Sequence, residues 1–317
     1  YICKEGKATQ MSEKTAFVSS ADRNYYPLLK ELLASVNALN IAQNFDIHVL
    51  DGGLDPAQIV ELETQHITIH DADWPEVMRH RLGEVKDKAY LKGCVLRPFI
   101  NKIVPGYDMY LWLDSDTWAQ TPDGINLLLQ GARKGRMCCS ILVDRAFPKA
   151  ARVKWLGPLP FKPRSFYYTN ARKAFGIDTA QKLFAYNVVS AGAFAMAGDA
   201  PHWERWQDLI GQALQKGNIF TAEQLTLGIM AHLDNAKDNV KYPMEYLPSW
   251  CHWPLNYDLA WDEASRLFVE PYLPHQPISI LHLSGLDKMR LDPSVTTPVK
   301  TISGGEQQMS IRYGMQK

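Results

Sequence analysis

Short apolar runs alternate with amphipathic stretches along the first half of the chain. TAFVSS, residues 15–20, predicts a buried strand that ends in small polar residues. In YPLLKELLASVNAL, Leu28, Leu29, Leu32, Leu33 and Val36 fall on one helical stripe, with Pro27 in the first turn. FDIHVLDGG predicts a second strand closed by an Asp-Gly-Gly turn, then a helix near 55–64; HITIH predicts a third strand. A helical region over about 86–104 is expected to break, kink or restart at Pro98. MYLWLD reads as a fourth strand, TPDGINLLLQGARK as a helix and MCCSILV as a fifth strand. The alternation then breaks. Residues 145–186, rich in aromatic, proline and basic residues, read as an insertion that is partly helical near 171–185. NVVSAGAFAM resumes a strand, helices are expected near 201–216 and 221–233, a Trp- and Pro-rich loop covers 248–261, and PISILHL is a last apolar strand.

This order predicts an α/β fold, one domain over 15–290 with a mostly parallel central sheet and helices on both faces. Residues 1–14 read as an N-terminal extension and 291–317 as a polar C-terminal tail or linker. Composition narrows the partners. Lys+Arg and Asp+Glu balance at 34 each, so no global field favours nucleic acid. Five scattered cysteines argue for a reducing compartment, and no apolar run is long enough to span a bilayer. The expected location is therefore cytoplasmic, at most peripheral at the membrane. A chain opening on Tyr1 rather than Met is expected to be a fragment, with an additional domain or membrane-associated partner outside it.

In such sheets ligands sit beyond the carboxyl ends of the strands. Asp22, Asp51, Asp71, Asp114 and Asp144 all follow such ends. Asp114-x-Asp116 alone means little, since 21 aspartates should produce roughly one such spacing by chance, and Asp71-x-Asp73 is another. HLSGLDK, of the form H-x-x-G-x-x-K from His282 to Lys288, should arise by chance only roughly 0.04 times. It also follows an apolar strand. An imidazole with two carboxylates suits Mn²⁺ (or Mg²⁺) better than Ca²⁺, which prefers oxygen ligands alone. Gly285 permits close backbone approach and Lys288 offers a fixed charge, so the set can hold a diphosphate with its cation.

With these residues in order, the chain resembles the GT-A-fold glycosyltransferases, and most of all the family-8 retaining enzymes (glycogenin and the bacterial lipopolysaccharide galactosyl- and glucosyltransferases). The resemblance implies that Asp114, Asp116 and His282 share one divalent metal on a UDP-sugar, with Asp114 divided between metal and ribose, and that Lys288 faces the donor phosphates. SADRNYY resembles the family's A-D-x-N-Y element, which implies uracil contacts for Asp22 and Asn24 and stacking for Tyr25. Arg97, seventeen residues before Asp114, corresponds to a diphosphate-binding arginine. VVSAGAFAM resembles the segment touching the donor sugar, at Ser190, Ala191 and Gly192. TAEQLTLG resembles the D-Q pair at the reaction centre, at Glu223 and Gln224. Ser190 and Glu223 depart from the family's usual Asn and Asp, and Pro98 is expected to push Arg97 out of helical geometry. The acceptor is expected at 145–186 and 248–261.

The implied reaction moves a hexose from a UDP-sugar to a hydroxyl of a glycan or glycolipid, with retention. Gln224, with a Glu223 or Asp144 carboxylate, would face the sugar's developing positive charge. Two alternatives stand beside it: an inverting transferase with Glu223 as base, and a non-catalytic UDP- or glycan-binding pseudoenzyme. Simpler roles exist for several of these residues. Thr221-x-x-Gln224 is also a helix capping box, Tyr25 a hydrophobic staple, His66 and His70 a solvated strand face, and Trp250, Trp253 and Trp261 packing residues.

Overall fold

The computed structural model of the chain describes residues 13–147, 154–161, 165–235 and 240–316. In chain order the strands are β1 (Thr15–Ala21), β2 (Asp46–Asp51), β3 (Thr68–His70), β4 (Met109–Leu113), β5 (Thr117–Ala119), β6 (Met137–Ile141), β7 (Lys154–Leu156), β8 (Leu159–Phe161), β9 (Val189–Ala197), β10 (Met244–Leu247), β11 (Trp253–Pro254), β12 (Ala260–Asp262), β13 (Leu267–Val269), β14 (Ile280–His282), β15 (Thr297–Thr301) and β16 (Glu306–Met309). The helices are α1 (Tyr26–Ala38), α2 (Pro56–Glu63), α3 (Leu82–Val85), α4 (Lys92–Val95), α5 (Ile100–Ile103), α6 (Asp123–Ala132), α7 (Phe166–Ala174), α8 (Ile177–Leu183), α9 (His202–Ala213), α10 (Ala222–His232) and α11 (Asp287–Leu291).

A seven-stranded sheet in the order β10-β6-β9-β4-β1-β2-β3 forms the centre. Its strands run parallel except β9, which pairs antiparallel with both β4 and β6. Strand β4 is buried along its whole length, and its alternation assigns its side chains to two cores. Tyr110 and Trp112 join the cluster containing Trp203, Trp206 and Leu225 of α9 and α10. Met109, Leu111 and Leu113 join the cluster containing Leu29 and Leu32 of α1 and Ile125 and Leu128 of α6. The helical region before β4 is broken, as Pro98 requires, into α4, a 3₁₀ turn at Arg97–Phe99 and α5. Pro98 lies in the first turn of that 3₁₀ segment, where its missing N–H has no partner to lose. Arg97 therefore opens a helical turn rather than leaving helical geometry.

PISILHL forms a strand, but outside the main sheet. β14 sits between β11 and β5 in a second, three-stranded sheet, antiparallel to β5 with His282 opposite Thr117. A third cluster under this sheet gathers Trp118, Trp253, Trp261, Phe268, Leu281, Val299 and Ile311. Residues 297–309, expected as a tail, instead add β15 and β16 to β12 and β13 in a four-stranded sheet. Their polar composition reflects a sheet edge with few inward positions: Val299 and Thr301 are buried while Lys300 and residues 306–308 are exposed. Arg312 is 2% exposed and anchors the segment: its Nε donates to Glu31 Oε2 of α1 at 2.7 Å, and one Nη donates to the carbonyls of Met289 and Arg290 at 3.0 Å each.

Breaking a buried ion pair by removing one partner costs about 3–5 kcal/mol. Arg312→Ala is therefore expected to lower the urea-unfolding free energy by about 3 kcal/mol. An unchanged midpoint would mean that the segment is a dispensable tail.

Candidate active site

The main and second sheets meet where β4 ends. Asp114, Ser115 and Asp116 form the turn from β4 into β5, and Thr117 Oγ1 and N both bond the Asp114 carbonyl, at 2.7 and 2.9 Å. Because β5 pairs with β14, the N–H of Leu283 reaches the Asp116 carbonyl at 2.9 Å and His282 lies beside the two aspartates. One ligand atom each from Asp114, Asp116 and His282 falls within 4.8 Å of the others. His282 Nε2 is 3.2 Å from Asp116 Oδ1 and 3.8 Å from Asp114 Oδ2.

The remaining oxygens of both carboxylates are already held. Asp114 Oδ1 accepts from an Arg97 Nη at 2.6 Å and from Trp112 Nε1 at 2.8 Å, and the Arg97 guanidinium lies over the Trp112 ring at 5.0 Å. Asp116 Oδ2 accepts from Arg290 Nη1 at 2.9 Å. Each carboxylate thus spends one oxygen on a guanidinium and turns the other toward His282. That donor set, two carboxylate oxygens and one imidazole nitrogen, fits a divalent cation such as Mn²⁺. Burial pushes the Asp116 carboxyl upward, but His282 and Arg290 outweigh it and hold it well below the usual carboxylate range. Burial, opposed by Arg97 and His282, leaves the Asp114 carboxyl above its ordinary value.

β9 forms the floor. A Cβ at Gly192 would stand 2.7 Å from His282 Cε1 and 2.9 Å from Asp114 Oδ2, so only a glycine lets this strand pass beneath the triad. Ser190, Ala191 and Gly192 all line a cavity of about 490 Å³, within the range of small-molecule sites. Asp22, Tyr25, Arg97, Glu223 and Gln224 also line it. Asp22 Oδ1 accepts from the backbone N–H of Asn24 and Tyr25, at 3.0 and 2.8 Å, which shapes the turn into α1. Glu223, 5% exposed, accepts from Arg97 Nη1 at 2.9 Å, and Gln224 Nε2 donates to the Val189 carbonyl at 3.3 Å. Cys94 also lines the cavity, its thiol pushed up to about 12 by burial, so it offers no thiolate nucleophile.

Some expected residues are placed elsewhere. Asn24 is exposed and outside the cavity lining, as is Lys288. Asp144 does not line the cavity either; Leu142 does, but the chain then turns, and Asp144 Oδ1 folds back onto the N–H of Ala146 at 2.8 Å. Gly285, at φ +81°, makes the turn after β14, where a Cβ would meet Asn256 Cβ at 2.9 Å; it too is outside the lining. Asp71 is exposed beside Lys92 at 3.3 Å and does not reach the site. Of the segments expected to meet an acceptor, Phe166 comes from one and Pro254 and Asn256 from the other; residues 148–153 and 162–164 of the first lie outside the described residues. Trp253 and Trp261 are buried in the third cluster.

Two residues at the site carry no sequence motif. Arg290 of α11 lies on Asp116 and over the Tyr25 ring at 5.7 Å, where Lys288 was expected. His252 stands behind His282, its Nε2 3.0 Å from His282 Nδ1. Helical spacing distinguishes Arg290 from Lys288, since two positions apart on a helix means opposite faces.

A scan against protein-family models and a search of curated proteins both find no match. Solved structures do match. The apo structure of WbbM, a bifunctional glycosyltransferase, aligns with a TM-score of 0.52 at 16% identity, over 87% of this chain and 46% of its own. The fold is that of the GT-A glycosyltransferases. Two crystal structures of the galactosyltransferase LgtC, an active-site mutant and a complex with donor and acceptor sugar analogs, align at 15% identity with TM-scores of 0.48 and 0.47. Both alignments cover 85% of this chain and 87% of LgtC. In this GT-A frame the cavity lies at the carboxyl ends of β1 and β4, where open α/β sheets bind ligands.

The buried network makes a prediction about pH. Burial outweighs Arg97 and raises the Glu223 carboxyl to about 7, against 4.5 for an ordinary glutamate. The folded chain thus holds this proton more tightly than the unfolded chain. The resulting stabilisation is complete below about pH 4.5 and is lost as pH rises through 7. Relative to Glu223→Gln, which has no such proton, the native chain should lose about 3 kcal/mol between pH 5 and pH 8. Urea midpoints of the two proteins across that range check this, and a constant difference would mean that Glu223 keeps an ordinary carboxyl.

Proposed function

We propose that this chain is a divalent-metal-dependent glycosyltransferase that moves a hexose from a UDP-sugar to a hydroxyl of a glycan or glycolipid acceptor, with retention of configuration. The observation that carries the reading is the convergence of Asp114 Oδ2, Asp116 Oδ1 and His282 Nε2 at the strand ends of a GT-A sheet. A bound Mn²⁺ or Mg²⁺ supplies Lewis-acid neutralisation of the departing diphosphate.

The chain's own residues supply the rest. Tyr25 presents a ring on the cavity wall for the uracil, beside Asp22. Arg290, rather than Lys288, is the cation directed into the cavity next to Asp116, and it stabilises phosphate charge there. Ser190, Ala191 and Gly192 present a small-residue wall to the sugar, and Gln224 sets a carboxamide beside it. Glu223 supports retention over the inverting alternative, because its carboxylate is closed on Arg97 at 2.9 Å instead of standing free for an acceptor hydroxyl. The intact Asp114–Asp116–His282 set argues against a pseudoenzyme. No described helix is long and apolar enough to cross a membrane, and the described cysteines 94, 138, 139 and 251 are free thiols. Both fit work in the cytoplasm or at a membrane surface on a glycolipid.

Two measurements test this reading. Incubation with Mn²⁺ and a panel of UDP-sugars is expected to release UDP from one of them, and EDTA to abolish the release; turnover that survives EDTA would sink the metal reading. In titrations of UDP with Mn²⁺ present, Arg290→Gln should weaken binding by roughly 10- to 100-fold, the scale of one charge-assisted hydrogen bond, while Lys288→Gln leaves it near native. The reverse order would return the phosphate role to Lys288.

A further inference from the structure

Behind the triad runs a short chain of hydrogen bonds that the proposed reaction does not use. His282 turns Nε2 toward Asp116 and Asp114, and its Nδ1 lies 3.0 Å from His252 Nε2. His252 Nδ1 in turn lies 3.1 Å from Ser140 Oγ on β6. The two imidazoles are nearly parallel, 5.1 Å apart and inclined by 20°. His252 and Ser140 are each 2% exposed. The pairing of β11 with β14 fixes this arrangement, because His252 immediately precedes Trp253, which lies opposite Leu281.

Only one proton can lie between two ring nitrogens. With no cation present, Asp116 Oδ1 at 3.2 Å favours the proton on His282 Nε2, the atom a metal needs bare. The proton must then sit on Nδ1, and something must accept it there. Metal-bound histidines in general direct that second N–H to a carboxylate, a backbone carbonyl or water. Among the described residues the group at that distance is His252, with Ser140 able to accept from its other nitrogen.

We propose that His252 is a positioning residue: it accepts the Nδ1 proton of His282, fixes that ring's orientation and tautomer, and so holds Nε2 bare toward Asp114 and Asp116. This rests on the metal reading above, and the two can fail separately. A merely structural His252 would satisfy buried polar atoms and leave metal affinity untouched.

The test is calorimetric titration of Mn²⁺ alone, without nucleotide, into the native chain, His252→Gln and His252→Leu. Gln keeps an acceptor at the position of Nε2, whereas Leu keeps volume and removes it. Leu is expected to weaken Mn²⁺ binding by roughly 10- to 100-fold and Gln to restore it close to native. Native-like affinity in the Leu variant overturns the role of His252. A native chain that binds no Mn²⁺ overturns the metal reading itself. If the Leu variant does not fold, ¹⁵N-histidine spectra of the native chain loaded with Mg²⁺ decide: His252 bare on Nε2 and protonated on Nδ1 supports the proposal, and His252 protonated on Nε2 overturns it.

Discussion

The antiparallel pairing of Thr117–Ala119 with Ile280–His282 is the contact on which the site depends. The main sheet alone can bring Asp114 and Asp116 to the end of β4, but its described histidines, His48 and His70, bond each other at 3.0 Å, and the imidazole beside the aspartates comes from β14. Three residues of β5 turn out of the main sheet and collect β14, with β11 beside it. Register is decisive in so short a ladder, because a slip of one residue moves every side chain to the opposite face. Gln120 reinforces it from the side: its Nε2 donates to the carbonyls of Phe268 and Ile278, and its Oε1 accepts from the N–H of Phe268. The aromatic cluster below, with Trp118, Trp253 and Phe268, gives the small sheet a core of its own.

Charge is the second constraint. Three carboxylates, Asp114, Asp116 and Glu223, converge with two guanidinium groups and one imidazole. Burying any one of these ions alone is prohibitive, so none stands alone. Arg97 is divided between Asp114 and Glu223, and Trp112 supports it from one face. Dividing one guanidinium between two buried acids leaves each under-compensated, which is why both carboxyls are raised while Asp116, served by His282 and Arg290, is lowered.

Much of this was legible in the chain. Periodicity and turn residues locate six of the seven main-sheet strands and most helices, because those elements bury continuous apolar faces; the edge strand β10, with only Leu247 buried, went unread. The triad was legible through motif order, since Asp114 and Asp116 end one apolar strand and His282 another. What escaped was direction. The small-residue strand β9 reads as a strand whichever way it runs, and its antiparallel sense depends on tertiary pairing. H-x-x-G-x-x-K names Lys288 by spacing, but α11 turns the face carrying Arg290 inward. His252 belongs to a Trp-rich loop whose side chains look interchangeable until β11 pairs with β14. Residues 291–317 looked like a tail because a sheet edge needs few apolar residues. Arg312, one of the charges in that polar stretch, is the most buried of its described ones.

The floor of the cavity has an evolutionary consequence. At Ser190, Ala191 and Gly192 the wall carries small side chains or none, and at Gly192 there is no room even for a methyl group. Such a wall has almost no side chains to exchange, so drift in this strand is confined to what its neighbours tolerate. A lineage that changed what this cavity accepts would have to recruit substitutions from the helical rim, at Phe220, Gln224 and Phe166. The scaffold thus separates an inheritance that cannot vary from a border that can. New specificities can arise on that border without disturbing the Asp114–Asp116–His282 cluster beneath it.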